Sequence, residues 1–427
     1  MTSTHTPDTP PGAPPGKPPG ARTRAVWSPW THKPTEIAII GLWFWTTIVP
    51  FRGDTALLFA LSGYVLVGCY VHRSAVLAVA QSSWILLLYP AWGLLSMLWT
   101  TAPASTNKIG LELLLSVVIC FYIAARIDRR NFILAVFCGA AFYAVVSYKT
   151  LLVPSFYGPF GEKNLLASRM TVLAMTAIAL FLDQGSSRII RWAALPFAFL
   201  AMLYIRNSAT ALVTAFAGIA FMFALVVVWR QARGLRVLII SLTIAAVAGA
   251  ALLLVSSGNG DLKEALFSAL GKDSSLTGRT ELWEYAREMI ARKPWLGLGL
   301  GGFWRPEVLE AQTILDLYYK DRGTVFSFHN SYLEISVQLG YIGLALGVSG
   351  MAFCAWSAFR RVLQDSGAIY AFFMTIIVIA IIRCNVESDM WRQFEQMQML
   401  VWMGGVYAAS ELRQIGARPS LRFWRAS

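Results

Sequence analysis

Runs of about 20 apolar residues, separated by short polar stretches, recur along most of this chain. That length matches a helix crossing the hydrocarbon core of a bilayer. The runs predict spans near 35–50, 54–72, 75–99, 109–126, 131–153, 164–183, 188–205, 207–229 and 235–256. Three more are predicted near 330–359, 366–386 and 393–412. The pattern therefore predicts an all-α polytopic membrane protein with about 12 transmembrane helices. Without the short, polar-edged segment 35–50 the number is about eleven.

Residues 257–328 break the pattern. Loops of this length without a regular job are uncommon and are usually functional. Inside it Leu282, Trp283, Ala286, Met289 and Ile290 fall on one helical face, which predicts a helix over 280–292. Thr277 or Gly278 can cap it, Glu281 suits its first turn, and Pro294 ends it. Such a helix would lie on the bilayer surface or over a cavity mouth. A second helix is expected over 306–319. The GLGLGG run at 297–302 follows no strand, so it is no dinucleotide fingerprint; a tight turn or a close approach to lipid or glycan suits it better.

Composition agrees with a membrane solvent. Hydrophobic residues make up 56% and charged residues 14%, with a mean hydropathy of +0.56. The Pro/Gly-rich tail 1–34 cannot build a core and is expected to be disordered, and it contains no signal-peptide h-region. The rest divides into a first set of spans at 35–256, the large loop at 257–328, a last set at 329–413 and a basic tail at 414–427. The net charge of +13 sits mostly between spans, where orientation and anionic lipid headgroups account for it; no nucleic acid is called for. Arg126, Arg129, Arg130, Arg188, Arg191, Arg360 and Arg361 share one side with both tails. The positive-inside rule makes that side cytoplasmic and puts the large loop outside, in the periplasm of a bacterial inner membrane. The five cysteines form no CxxC and have no neighbouring histidine, so they are expected to be buried small residues.

Of the four histidines only His329 falls on the outer side, at the start of a span. A helix N-terminus disfavours the imidazolium, which suits a general base; the alternative is a histidine that only caps its helix or sits at the headgroup level. Arg279, in the first turn of the loop helix, makes an anion site suited to phosphate, or else pairs with Glu281 or Asp273. Arg206, between two apolar runs, faces the interior or snorkels to the interface, and Lys163 beside Glu162 has the same two readings. Arg383, Glu387, Asp389 and Arg392 form a further outer cluster. No HExxH, Walker A or paired-carboxylate motif is present, so no cofactor is called for. Cations holding a diphosphate leaving group, with a neutral histidine deprotonating a hydroxyl, describe glycosyl transfer from a lipid diphosphate sugar.

Three pieces in order resemble the bacterial O-antigen ligase and polysaccharide polymerase superfamily. They are Arg279 with Trp283, then PWLGLG at 294–299, then HNSYLEISVQLGYIGL from His329 and Asn330 to Gly340 and Gly343. The resemblance implies a GT-C-like inverting glycosyltransferase that needs no metal. Its donor would be a glycan on undecaprenyl diphosphate. It implies His329 as base and Arg279 on the diphosphate, with Asn330 and Trp283 in support; the positions of Arg206 and Lys163 add two candidate diphosphate cations, and Arg383 and Arg392 of the outer cluster two candidate supporting residues. Ligases move the glycan to lipid A–core, and polymerases move it to another repeat unit. FGEKNLLA at 160–167 and IRNSATALV at 205–213 resemble segments of exopolysaccharide polymerases and favour that branch. In the first, Glu162 stands where those proteins have His. In the second, Ala209 takes a position where many ligases have Arg. A lipid-linked glycan transporter is the rival class, expected to show internal repeats, and none is visible.

Overall fold

The computed structural model describes residues 33–48, 54–153, 156–161, 163–206, 208–231, 234–235, 238, 279–322, 324, 326–365, 367–388 and 390–416. Residues 1–32 of the tail expected to be disordered, the predicted span beyond Leu238, the loop up to Gly278 and the basic tail from 417 lie outside the described residues, as do Glu162, Asp273, Thr277 and Asp389. Lys33 and Pro34 of that tail instead open the first helix.

Helices α1 (Lys33–Thr46), α2 (Asp54–Val71) and α3 (Arg73–Ser83) come first, and α3 continues through a 3-10 turn into α4 (Leu88–Leu95). α5 (Pro103–Arg126), α6 (Arg129–Val146), the short α7 (Lys149–Leu152), α8 (Lys163–Leu182), α9 (Arg188–Ile205) and α10 (Ala209–Arg230) follow. After the undescribed segment come α11 (Arg279–Arg292), α12 (Leu309–Leu317), α13 (Ser331–Gln364), α14 (Ala368–Arg383) and α15 (Gln396–Gly416). No strand occurs among the described residues. Among the described residues, helical segments overlie every predicted span, with most of 235–256 outside them. Seven are long and apolar enough to cross a bilayer by length and composition, while Thr55–Val71 and Ala368–Arg383 are apolar but shorter. The protein is an all-α, multi-pass membrane protein.

α8 is the axis of the bundle, packed against α6, α9, α10 and α14. Every residue from Leu166 to Leu180 is buried, as befits a helix apolar on all sides. Its one interior cation, Arg169, donates to the Ile48 carbonyl at 2.9 Å and pairs with Glu395 at 2.7 Å. The last helices enclose one end of the bundle with ion pairs: Arg129 of α6 and Arg361 of α13 both bind Glu411 of α15, and both guanidiniums lie 4.8 Å from the Tyr370 ring centroid. All five cysteines are free; Cys138 is exposed and Cys69 half-buried, so only three match the expectation of burial.

α13 is two helices meeting at Gly340, whose φ of 66° and ψ of −170° no helix contains. The glycine run of the loop completes the broken hydrogen-bond ladder. Leu298 N donates to Val337 O at 3.1 Å, Gly299 N to Gln338 O at 2.7 Å, and Tyr341 N to Pro294 O at 2.7 Å. A Cβ on Gly297 would stand 2.5 Å from the Gln338 carbonyl, and one on Gly340 would stand 2.2 Å from the Trp295 oxygen. Both residues have positive φ, so only glycine fits the backbone and the contact together. The close approach expected of this run is thus made to the chain's own broken helix. The turn is also pinned to α4 and α5: Leu300 N donates to Ser96 Oγ, and Thr106 Oγ1 donates to Leu300 O.

The loop has its own small core. Leu282, Ala286, Met289 and Ile290 of α11 pack with Ile314 of α12, Phe303, Trp304, Phe328 and Val337. The predicted face of α11 is the buried one, with Trp283 at its half-buried edge. α11 packs on α13 rather than lying free on a surface.

Candidate active site

The site begins at Phe328, whose side chain is fully buried against Phe303 and Trp304. Both polar atoms of its backbone are held. Its N–H donates to Glu334 Oε2 at 3.0 Å, and its carbonyl accepts from Trp283 Nε1 at 2.9 Å. Glu334 is itself fixed, accepting from Trp304 Nε1 at 2.9 Å and Gln338 Nε2 at 2.8 Å. The next residue, His329, has φ of 49°, a sparsely populated region for a residue with a Cβ. The clamp on Phe328 sustains that backbone and sets the direction of the imidazole.

His329 does not cap α13. Asn330 does, its side chain accepting from Tyr332 N at 3.0 Å and Leu333 N at 3.1 Å. The capping alternative for His329 is therefore excluded. The imidazole lies one residue outside the helix and meets a carboxylate instead: Nδ1 is 3.5 Å from Glu387 Oε2. The other oxygen of Glu387 accepts from Arg279 Nη2 at 3.3 Å, and Arg279 Nη1 donates to Val386 O at 2.6 Å. Glu281 does not take the pairing expected for Arg279; among the described residues the partner is a carboxylate that the fold brings up from beyond α14, and Asp273 lies outside them. Among the described residues Arg279 thereby uses two of the five N–H donors of a guanidinium. Arg383, buried at the end of α14, acts on Glu387 through its charge. Burial pushes the Glu387 carboxyl up, but the His329 hydrogen bond and the charges of Arg383 and Arg279 outweigh it and hold the group below its ordinary value.

The segment carrying Glu387 is tied to the start of α13. Ser331 N donates to Cys384 O at 2.8 Å, Ser331 Oγ to Glu387 O at 2.8 Å, and Asn330 Nδ2 to Asn385 O at 3.2 Å. Further on, the Gln398 amide brackets Arg392 by accepting from its N–H and donating to its carbonyl. A cavity of about 170 Å³ opens between this segment, the loop and α13, with Arg392, Trp391, Ser388, Trp304 and Arg305 in its wall. No group of three or more His, Cys, Asp or Glu side chains able to hold a metal occurs among the described residues.

Six of the eight residues singled out from sequence therefore lie in or beside one site: His329, Arg279, Trp283, Asn330, Arg383 and Arg392. Two have no described bond to it. Arg206 is exposed at the turn between α9 and α10, where Nη2 donates to Leu151 O at 3.3 Å, so the interior reading does not hold. Lys163 is exposed at the start of α8. Glu334 escaped sequence reading, and Glu387 was seen only as one member of a charged cluster. The contact of Glu387 with His329 spans 58 residues of chain, and no local spacing encodes it.

The family model described as O-antigen ligase matches residues 194–348, a stretch that contains α11, the glycine turn and His329. The exopolysaccharide production protein ExoQ of Rhizobium meliloti (strain 1021) is 28% identical over 309 residues, covering 69% of this chain and 69% of its own length. With the arrangement at His329, these two matches support placing the chain in the O-antigen ligase and polysaccharide polymerase superfamily.

Proposed function

We propose that this protein is a metal-independent, inverting glycosyltransferase that moves a glycan from undecaprenyl diphosphate to a sugar hydroxyl. The observation that carries the reading is the chain His329–Glu387–Arg279, a base, an orienting carboxylate and a phosphate-binding cation joined in one network. In the reaction, the imidazole nitrogen facing away from Glu387 takes the proton of the acceptor hydroxyl. Glu387 holds the ring and stabilises the imidazolium as it forms, and their 3.5 Å separation is of the kind that tightens once substrate is bound. The acceptor oxygen bonds to the anomeric carbon from the face opposite the diphosphate. The bond from that carbon to the phosphate oxygen breaks, and the charge left on undecaprenyl diphosphate is met by Arg279 and Arg383. The proton on His329 then passes to water. Arg206 and Lys163 are proposed as outlying cations along the donor's path.

The name of the Rhizobium relative, an exopolysaccharide production protein, favours a polymerase, with another repeat unit as acceptor. The description of the matching family favours the second reading, a ligase that delivers the glycan to lipid A–core. The loop charges support a site in the periplasm and both termini in the cytoplasm of a bacterial inner membrane. Glycan profiles of a deletion strain separate the readings. Single-repeat products mean a lost polymerase. Full-length lipid-linked polymer that never reaches lipid A means a lost ligase, and an unchanged profile sinks both.

A further inference from the structure

The cavity beside His329 is chemically unlike the cation cluster on the other side of that residue. Its volume of about 170 Å³ gives room for a sugar ring. Trp304 and Trp391, both held by packing, contribute to the wall. An indole face suits the C–H face of a pyranose, because the electron-rich ring attracts the slightly positive hydrogens. Ser388 lines the same cavity, and its Oγ is buried with no hydrogen-bond partner among the described residues. A hydroxyl buried in this way calls for a polar partner.

The cavity wall sets two cations, Arg305 and Arg392, against one buried carboxylate, Glu334, whose charge acts with that of Arg392. The carboxylate of Glu334 is saturated by Trp304, Gln338 and Phe328. Among the described residues Arg305 pairs with the exposed Glu307, at 3.5 Å, a surface pair of little strength. The guanidinium of Arg392 makes no hydrogen bond or ion pair among the described residues, although its backbone is clamped by Gln398. We infer that this cavity is an acceptor subsite for a single sugar unit bearing a carboxylate, read by Arg305 and Arg392. The sugar ring lies against the tryptophans and one of its hydroxyls pairs with Ser388. The word acceptor rests on the glycosyl-transfer reading; the binding site itself does not. His329 joins the two halves: Ser327 and Phe326 line the cavity, His329 N donates to Ser327 Oγ at 3.4 Å, and the Phe326 and His329 rings are 5.6 Å apart.

Calorimetry on the full chain in lipid nanodiscs, with no donor present, tests the site. The probes are methyl β-glucuronide, methyl β-glucoside and inorganic pyrophosphate. The glucuronide should bind at least about tenfold more tightly than the glucoside, because only it makes charge-assisted bonds. Arg305→Gln and Arg392→Gln should each weaken the glucuronide by about tenfold to a hundredfold and leave the glucoside unchanged. Excess pyrophosphate should not displace it. Equal binding of the two sugars, binding of neither, or displacement by pyrophosphate overturns the inference, and the last assigns the cavity to the donor. The comparison of sugars on the unaltered protein stands even where a variant fails to fold. Because no turnover is measured, a failed transferase reading leaves the binding result intact, and a failed subsite leaves the roles of His329 and Arg279 intact.

Discussion

At His329 the fold supplies a partner on Nδ1 and a rigid backbone on the N-terminal side. His329→Ala should lower turnover by about 10²- to 10⁴-fold in a purified assay with lipid-linked donor, with donor affinity kept. His329→Gln should be nearly as slow, and a His329→Asn protein with normal polymer output would remove the base from the mechanism. Arg279→Ala removes a cation and leaves Glu387 with His329 and Arg383. Donor turnover should fall by roughly tenfold to a hundredfold, from the ~1.5–3 kcal/mol of a charge-assisted contact, and Arg279→Lys should restore only part. Glu387 has a folded value held below its ordinary one, so its charged form stabilises the folded site above about pH 4.5. That contribution should be lost as pH falls below this through the folded value. Thermal unfolding scans of Glu387→Gln against the parent should converge at acid pH and diverge near neutrality; parallel curves at all pH values would contradict it. His329 and Arg279 were legible from residue type and place in the chain, and Asn330 from the family resemblance alone. Glu387 and Glu334 were not legible in these roles, because a carboxylate gains its meaning from the donors that the fold collects around it.

Among the elements, α11 was the most legible, since its apolar face, first-turn glutamate and closing proline all agree. The break in α13 was not, because Gly340 sits inside a continuous apolar run and helices tolerate single glycines. What decides is the partner: the loop backbone at 294–299 takes over the hydrogen bonds that the helix drops. Gly297→Ala and Gly340→Ala should each destabilise the protein by at least ~1–3 kcal/mol for the backbone alone, with the clash added. Size-exclusion profiles and melting temperatures in detergent would register the loss, and two variants with parental profiles would disprove the docking. Gly343→Ala should destabilise as well, since its added Cβ would stand 2.2 Å from the Leu339 Cβ, an atom fixed to the helix backbone.

For the whole molecule, the apolar pattern made the bundle readable, and the buried Arg169 of α8 shows where that reading stops. One cation among fifteen consecutive buried positions looks like noise in a hydropathy profile. It joins α8 to the carbonyl of Ile48 and to Glu395 ahead of α15. Arg169→Met alone should cost about 3–5 kcal/mol by leaving Glu395 without its partner, and the pair Arg169→Met with Glu395→Gln should cost less. Folded yield and melting temperature of the three variants check this, and equal cost for single and double changes would refute it. Labelling of single cysteines placed at loop positions, in a cysteine-free background, tests the orientation inferred from the arginines. Reagent confined to the periplasm should reach position 320 and not position 234. The shared ladder between residues 294–299 and the arms of α13 also has a bearing on biosynthesis. A ribosome delivers the loop before the helix that completes it. Until residues 337–341 emerge and enter the bilayer, the glycine turn has no partner for its amides. A nascent chain halted before Ser331 should therefore keep this turn open to protease, and the catalytic face should close only as the last three helices are inserted.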